Sequence, residues 1–321
     1  MESILAQNYQ NFEIILVNDG STDQSGNLCD QYASEYSNIY VIHSENEGPG
    51  PSRNKGLKRS RGQYIYFVDS DDRIRINTLS NISEVIELDR PDVVIFGYTK
   101  REKKGKKCII TESSLPELKL NSRKIIKQEL CNLLHQGIRF SLWNKVFKKS
   151  VIDKYNIHFP AFKRSQDMAF TLDFLSHTTS LYVLDKSYYV HENKFVSEKY
   201  DDSLIDVHIT LFTKLYHLFP EWHKVEHNAA YLGKLFAFWF FLKIPKILLS
   251  NHDSTVSKQK LREMASLERV QKFSDAFYKN DALAYYYRIP NFMLNKQLIR
   301  FIYYINYILK PIEHKVKKTL T

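Results

Sequence analysis

Apolar residues in the N-terminal part of the chain fall into short, nearly continuous runs: Phe12–Val17, Ile39–His43, Gln63–Asp69, Asp92–Tyr98 and Leu181–Val190. They are rich in β-branched and aromatic residues and end at Gly, Asn, Asp or Ser. This pattern predicts strands buried on both faces. Helical spacing fills the intervals. Residues 1–8 read as the last turns of a helix. Further helices are expected from the capping group Ser21–Asp23 to about Tyr36, over Ser52–Ser60, beyond Asp72 to about Leu88, over Asn121–His135, and after Ser165-Gln166-Asp167. Between two of these lies a basic loop, Lys100–Lys107, after which Cys108–Glu112 returns as a strand. Strands alternating with helices predict an α/β fold, a mostly parallel sheet flanked by helices. The chain enters on a helix, where a doubly wound sheet normally enters on a strand.

From about Ile205 the pattern changes to helices loaded with aromatics and lysines, which divides the chain into 1–204 and a helical region, 205–321. Tyr231–Leu249 is the most apolar part, but Lys234, Lys243, Pro245 and Lys246 interrupt it. It falls short of the ~18 uninterrupted apolar residues of a bilayer-spanning helix. Asn291–Lys318 alternates Ile, Tyr and Leu with Lys and Arg, which suits a helix lying on an anionic membrane surface. The alternative is a packed helical region whose lysines are solvated.

Composition narrows the class. The chain is 43% hydrophobic and 14% aromatic, ample for a core, and its formal charge of +10 fits contact with nucleotides, nucleic acid or an anionic membrane. No recognised nucleic-acid-binding motif accompanies the charge, so nucleic acid is not expected as a partner. Three cysteines, Cys29, Cys108 and Cys131, lack metal-type spacing and point to a reducing compartment. The N-terminus carries no secretory pattern. A cytoplasmic location is expected, peripheral at the inner face of the membrane.

The candidate chemistry centres on Tyr64–Arg73, where an apolar run meets Asp69, Asp71 and Asp72. A buried strand ending in acids places them at the carboxyl edge of a sheet, where open α/β sheets bind ligands. On a continuing strand Asp69 and Asp71 share a face. Hard oxygen donors so arranged suit Mg²⁺ or Mn²⁺ together with substrate phosphates. A polar turn with Asp72 capping the next helix is the other reading.

In order, the segments Val17-Asn-Asp-Gly-Ser-Thr-Asp23, Asn46-Glu-Gly48, Ser52-Arg-Asn-Lys-Gly56, Gly62-Gln-Tyr-Ile65 and Phe67-Val-Asp-Ser-Asp-Asp72 resemble the inverting family 2 glycosyltransferases of GT-A fold, bacterial enzymes of capsule and exopolysaccharide assembly above all. The likeness covers about residues 1–195. It implies a nucleotide-sugar donor, typically a UDP-sugar, a glycan or lipid-linked acceptor, and Mn²⁺ or Mg²⁺. By the same resemblance Asp19 meets the nucleotide base, Asp69 the ribose side and Asp71 the metal. Arg53 orients acids or phosphates, and His191 lies near the diphosphate. Asp167 is the general base, and Trp143, Lys145 and Gln166 belong to the acceptor side. Each residue also has a plainer reading. Asp19 serves as a turn residue, Asp69 as an acid behind the metal ligand, and Arg53 as the ion-pair partner of Asp69 or Asp71. Asp167 serves as a helix N-cap and Trp143 as core packing.

Three departures from the family pattern carry expectations of their own. The family's opening strand has no counterpart ahead of the first helix, so a central strand position is expected to be empty. Gln166 stands where relatives have Glu. Pro51-Ser52 stands where they have small residues. The alternative function is a catalytically inactive relative that binds membrane or partner enzymes as a scaffold.

Overall fold

The computed structural model describes residues 1–104, 107–135 and 140–193, with positions 203, 207, 208, 210, 211, 214, 215 and 259 beyond them. The chain divides into two compact units, Met1–Lys194 and Phe195–Thr321. Apart from those scattered positions, the helical region expected over 205–321, including Tyr231–Leu249 and Asn291–Lys318, lies outside the described residues.

In chain order the elements are α1 (Glu2–Leu5), β1 (Ile14–Asp19), α2 (Ser25–Glu35), β2 (Ile39–Ser44), α3 (Pro49–Arg59), β3 (Tyr64–Tyr66), β4 (Arg73–Ile74) and α4 (Thr78–Asp89). They continue with β5 (Val93–Lys104), β6 (Lys107–Ser113), β7 (Leu118–Leu120), α5 (Arg123–His135), β8 (Lys145–Lys148), α6 (Lys149–Lys154), α7 (Gln166–His177) and β9 (Leu181–Asn193). The α/β class and the helix–strand alternation are those the apolar pattern predicts.

Strand direction is not. Only β1–β2 and β5–β9 run parallel; β8 runs against both β3 and β5, and β4, β6 and β7 are antiparallel to their neighbours. The mostly parallel sheet is therefore corrected to a mixed one. The cause is connectivity: the Lys100–Lys107 stretch folds β5 directly back on β6 as a hairpin, and β8 is inserted between β3 and β5. The strands form a two-stranded sheet, β1–β2, and a seven-stranded sheet with the path β3-β8-β5-β9-β4. Among the described residues no strand joins β1 to β3. Ile15, Leu16 and Val17, an apolar run of the doubly buried type, are only half-buried.

The larger sheet is covered on both faces. Val94, Phe96 and Tyr98 alternate onto one face of β5 and pack with Ile82 and Val85 of α4. On the other face Phe147 of β8 meets Phe170 and Phe174 of α7, with ring centroids 5.5 and 4.9 Å apart. Phe67 and Phe159 complete this aromatic layer. The Gln7 amide ties the first helix down: it donates to Ser3 O and Arg75 O, both at 2.8 Å, and its carbonyl accepts from Leu79 N at 3.1 Å.

Candidate functional site

The central acidic stretch does not continue as a strand. β3 stops at Tyr66, and residues 67–72 form a loop closed by the Asp72 N–H donating to Asp69 O at 3.1 Å. The loop sorts its carboxylates by exposure. Asp69 is half-buried, Asp71 exposed and Asp72 buried.

Asp72 does not cap α4, which starts beyond it at Thr78. Its carboxylate accepts from the Tyr189 hydroxyl (2.7 Å), His191 Nδ1 (3.1 Å) and the Glu192 N–H (2.8 Å). Burial works against its charge, but these donors outweigh burial and hold its pKa below the ordinary carboxylate range. The Tyr189 hydroxyl also accepts from the Asp69 N–H at 3.1 Å, so one phenol ties the loop to β9. The β9 strand runs through His191 rather than ending before it. Trp143 stacks on both Tyr189 (4.7 Å, 15°) and His191 (5.3 Å, 11°), so its ring is held within the protein. The Asp72 hydrogen bond raises the His191 pKa against the opposing pull of burial, which favours imidazolium beside the acidic loop.

Asp69 accepts from Arg53 Nη2 at 3.2 Å. Burial pushes its pKa up, Arg53 pulls it down, and the charges of Asp72 and Asp71 push it up again. A divalent cation would relieve that repulsion. Two carboxylates on one loop, one of them exposed, fit Mg²⁺ or Mn²⁺ whose remaining positions go to water and phosphate oxygens. Among the described residues no group of three or more His, Cys, Asp or Glu is placed to hold a metal unaided, so such a site needs donors from the substrate.

Asp19 closes β1 beside a turn that only glycine fits. Gly20 has φ +67°, and a Cβ there would lie 2.7 Å from the Asn46 N. The two Asp19 oxygens accept from the Glu47 and Gly48 N–H groups, each at 2.9 Å, at the entrance of α3. A carboxylate offers about four lone-pair positions, so room for a further donor remains. One turn on, the Asn54 side chain clasps the Phe159 backbone both ways at 2.9 Å, and Arg53 lies over the Phe159 ring at 5.7 Å. Gly50 lets α3 approach this segment, because a Cβ there would lie 2.9 Å from Pro160 O.

Ser165, in left-handed backbone (φ 58°), turns the chain into α7, whose first turn carries Asp167. Burial raises the Asp167 pKa above the ordinary carboxylate value. The Met168 N–H, Arg53, its own N–H and Lys145 oppose that rise without cancelling it. A carboxylate of raised pKa is a stronger proton acceptor. Arg53 thus acts on two carboxylates, Asp69 and Asp167, from one position on α3.

Two residues expected on the acceptor side lie inside the fold. Lys145 and Gln166 are buried, Lys145 completely. Strand alternation turns Lys145 inward with Phe147, and Gln166 lies against the Gly50 approach with its Cγ 3.6 Å from a Cβ built there. Sequence reasoning also missed two parts. Asn54 was visible beside Arg53 but without a role. Tyr189 was visible only as half of a Tyr-Tyr pair.

Residues 1–155 match the family model described as Glycosyl transferase family 2. The chain is 31% identical over 196 residues to EpsJ of Bacillus subtilis, an uncharacterized glycosyltransferase, covering 60% of this chain and 55% of EpsJ. It is 35% identical over 167 residues to the glycosyltransferase GlyG of Streptococcus pneumoniae, covering 44% of this chain and 56% of GlyG. The chain thus spans a little over half the length of these curated relatives. In fold it is similar to a crystal structure of Staphylococcus aureus TarS residues 1–349 in complex with UDP. That match has a TM-score of 0.60 at 21% identity and covers 88% of this chain and 82% of the other. TarS is a poly(ribitol-phosphate) beta-N-acetylglucosaminyltransferase. Over this N-terminal part, in its ordered motifs and in these relatives, the chain is similar to glycosyl transferase family 2.

Proposed function

We propose that the protein transfers a sugar, with inversion, from a nucleotide sugar of the UDP type to a hydroxyl of a glycan or lipid-linked acceptor in surface-polysaccharide synthesis. The observation that carries this reading is the convergence on Arg53. That one cation pairs with Asp69 of the acidic loop at 3.2 Å and acts on Asp167 at the head of α7. A donor-binding acid and a proton-accepting acid thus both feel the charge of one guanidinium. The UDP and UDP-GlcNAc complexes of TarS support the class of donor.

In this reading Asp19 meets the base, Asp69 the ribose side, and Asp71 the divalent metal. A bound Mg²⁺ or Mn²⁺ supplies positive charge at the leaving diphosphate. The chain's own groups do the rest. Asp167 takes the proton of the attacking hydroxyl, which lies on the face of the sugar opposite the nucleotide. Arg53 holds Asp69 in place, and the His191 imidazolium adds charge on the diphosphate side. Trp143 buttresses His191 by stacking. Fixing donor and acceptor in line supplies much of the rate.

We also propose peripheral contact with the inner membrane face through the basic, aromatic residues 291–318, by charge attraction to anionic lipid. Among the described residues no helix is long and apolar enough to cross a membrane.

One observation favours a second reading. Among the described residues β1 pairs with β2 on one side and with no strand on the other. A scaffold that no longer binds donor accounts for this. Isothermal titration with UDP and Mn²⁺ separates the two, since absence of binding by the full chain removes the transferase reading. Given binding, Asp167→Asn is expected to abolish transfer while UDP and metal affinity persist. Full turnover by that variant refutes the base assignment.

A further inference from the structure

We propose that Asn18, His43 and Asp30 form a relay that positions Asp19 for the nucleotide base. On the α2 face of the two-stranded sheet the relay holds the turn from which Asp19 projects on the α3 face. The proposal rests on the reading of Asp19 as the base contact.

The placement follows from the pairing of β1 with β2. These strands run parallel, with Asn18 beside His43 and Asp19 beside Ser44. Successive residues of a strand point to opposite faces, so Asn18 and His43 share one face and Asp19 takes the other. Helix α3 covers the Asp19 face: a Cβ at Gly56 would lie 3.5 Å from Val17 Cγ2, and the Arg59 guanidinium lies over the Tyr40 ring at 4.1 Å. Helix α2 covers the opposite face. A Cβ at Gly26 would lie 2.9 Å from Asn18 Nδ2 and 3.7 Å from His43 Cε1, so a side chain there would push into the pair.

Hydrogen bonding fixes the polarity of the relay. The Ser21 N–H donates to Asn18 Oδ1 at 3.1 Å and closes a turn around Asp19 and Gly20. With its oxygen so engaged, the Asn18 amide presents its NH2 group to His43 Nδ1, 3.0 Å away. An amide NH2 only donates, so Nδ1 accepts and the ring proton sits on Nε2. Nε2 then donates to Asp30 Oδ1 at 2.9 Å. One ring tautomer satisfies both of its partners, and one amide orientation satisfies both His43 and Ser21. An imidazolium carries hydrogens on both nitrogens and would turn the Asn18 amide away from Ser21. The relay runs from α2 through β2 to the last two residues of β1.

Asp19 is thereby fixed from both faces of the sheet. On the α3 side its oxygens are held by the Glu47 and Gly48 N–H groups. On the α2 side the Asn18–Ser21 bond sets the backbone from which the carboxylate leaves. A carboxylate tells bases apart by their hydrogens: uracil offers an N3–H, whereas cytosine offers a lone pair at that position. The aim of Asp19 therefore bears on which nucleotide is chosen as well as on affinity.

The test uses the full chain with Mn²⁺. Asn18→Ala and His43→Ala are each expected to weaken UDP binding by about three- to tenfold, the loss of one or two hydrogen bonds of ordinary strength. The preference for UDP over CDP is expected to narrow in both. His43→Asn, whose amide oxygen takes the place of Nδ1, is expected to retain more affinity than His43→Ala. Gly26→Ala displaces the Asn18 amide and is expected to weaken UDP binding although alanine favours the helix. Unchanged affinity in folded Asn18→Ala and His43→Ala, or equal losses for UDP and CDP, overturns the proposal. ¹⁵N-histidine spectra, assigned with His43→Ala, read the relay without nucleotide. At mildly alkaline pH the His43 proton is expected on Nε2, and a proton on Nδ1 overturns the relay. Asp19→Ala separates the proposal from the reading beneath it. Weakened UDP binding in Asp19→Ala with native affinity in the relay variants overturns the relay alone. Unchanged binding in Asp19→Ala refutes the base contact and the proposal with it.

Discussion

Tyr189→Phe removes one oxygen and tests whether β9 holds the acidic loop. The ring keeps its stacking on Trp143 at 4.7 Å. Two hydrogen bonds are lost: the one donated to Asp72 at 2.7 Å and the one accepted from the Asp69 N–H at 3.1 Å. A hydrogen bond to a charged group contributes about 1.5–3 kcal/mol. Asp72 retains the Glu192 N–H at 2.8 Å and His191 at 3.1 Å, so its charge is not stranded. That places the cost at about 2 kcal/mol. For a unit the size of Met1–Lys194, 1 kcal/mol moves Tm by about 2–4 °C, so a fall of about 4–8 °C is expected. The freed Asp69 amide also loosens the loop that carries Asp69 and Asp71. UDP affinity in the presence of Mn²⁺ is expected to fall by up to about tenfold, equivalent to about 1.4 kcal/mol. Thermal unfolding and isothermal titration read the two effects. A cycle with Asp72→Asn isolates the pair, with coupling on the order of 1 kcal/mol. Additive single effects together with unchanged UDP affinity would refute the argument that this phenol orders the loop.

The other predictions concern charge, metal and core. Asp71→Asn is expected to weaken Mn²⁺-dependent UDP binding, and chelation with EDTA should lower native binding to the level of the variant; an equal response of both proteins to EDTA counts against Asp71 as a ligand. Phe147→Ala opens a cavity among Phe67, Phe170 and Phe174 and is expected to cost about 3–5 kcal/mol, read by urea unfolding. The His191 pKa is raised in the fold, so its stabilising contribution is fully present below about pH 6.5 and is lost as pH rises through the higher folded value. The Tm deficit of His191→Gln should therefore be larger at pH 6 than well above neutrality. Asp72 is depressed, so its contribution is present above its unfolded value and is lost as pH falls through the lower folded value, which acid unfolding of Asp72→Asn checks.

The candidate site was only partly legible in the sequence, and its residues show why. Asp69 and Asp71 could be picked out because acids at the end of an apolar run leave a local signal, whereas Asp167 came from the family resemblance, since an acid at the head of a helix reads equally as an N-cap. The buried role of Asp72 could not, because its partners Tyr189, His191 and Glu192 lie more than a hundred positions away. Lys145 reads in sequence like any exposed lysine of a basic chain. Only the pairing of β8 with β3 and β5, under α7, turns it inward.

The fold divides in the same way. The longer strands and helices followed from the sequence alone, because apolar runs with β-branched residues and helical spacing act over a few neighbours, whereas the short β4, β7, β8 and α6 were not foreseen. Strand direction did not follow, because hydrogen bonding between strands depends on which segments meet after long loops close; the break between β1 and β3 falls where an empty strand position was expected. The acids of the site are therefore a property of the sequence. Their division into a half-buried Asp69, an exposed Asp71 and a buried Asp72, and the shared Arg53 that links them to Asp167, were decided by tertiary structure, because burial and charge pairing exist only once distant strands and helices pack together.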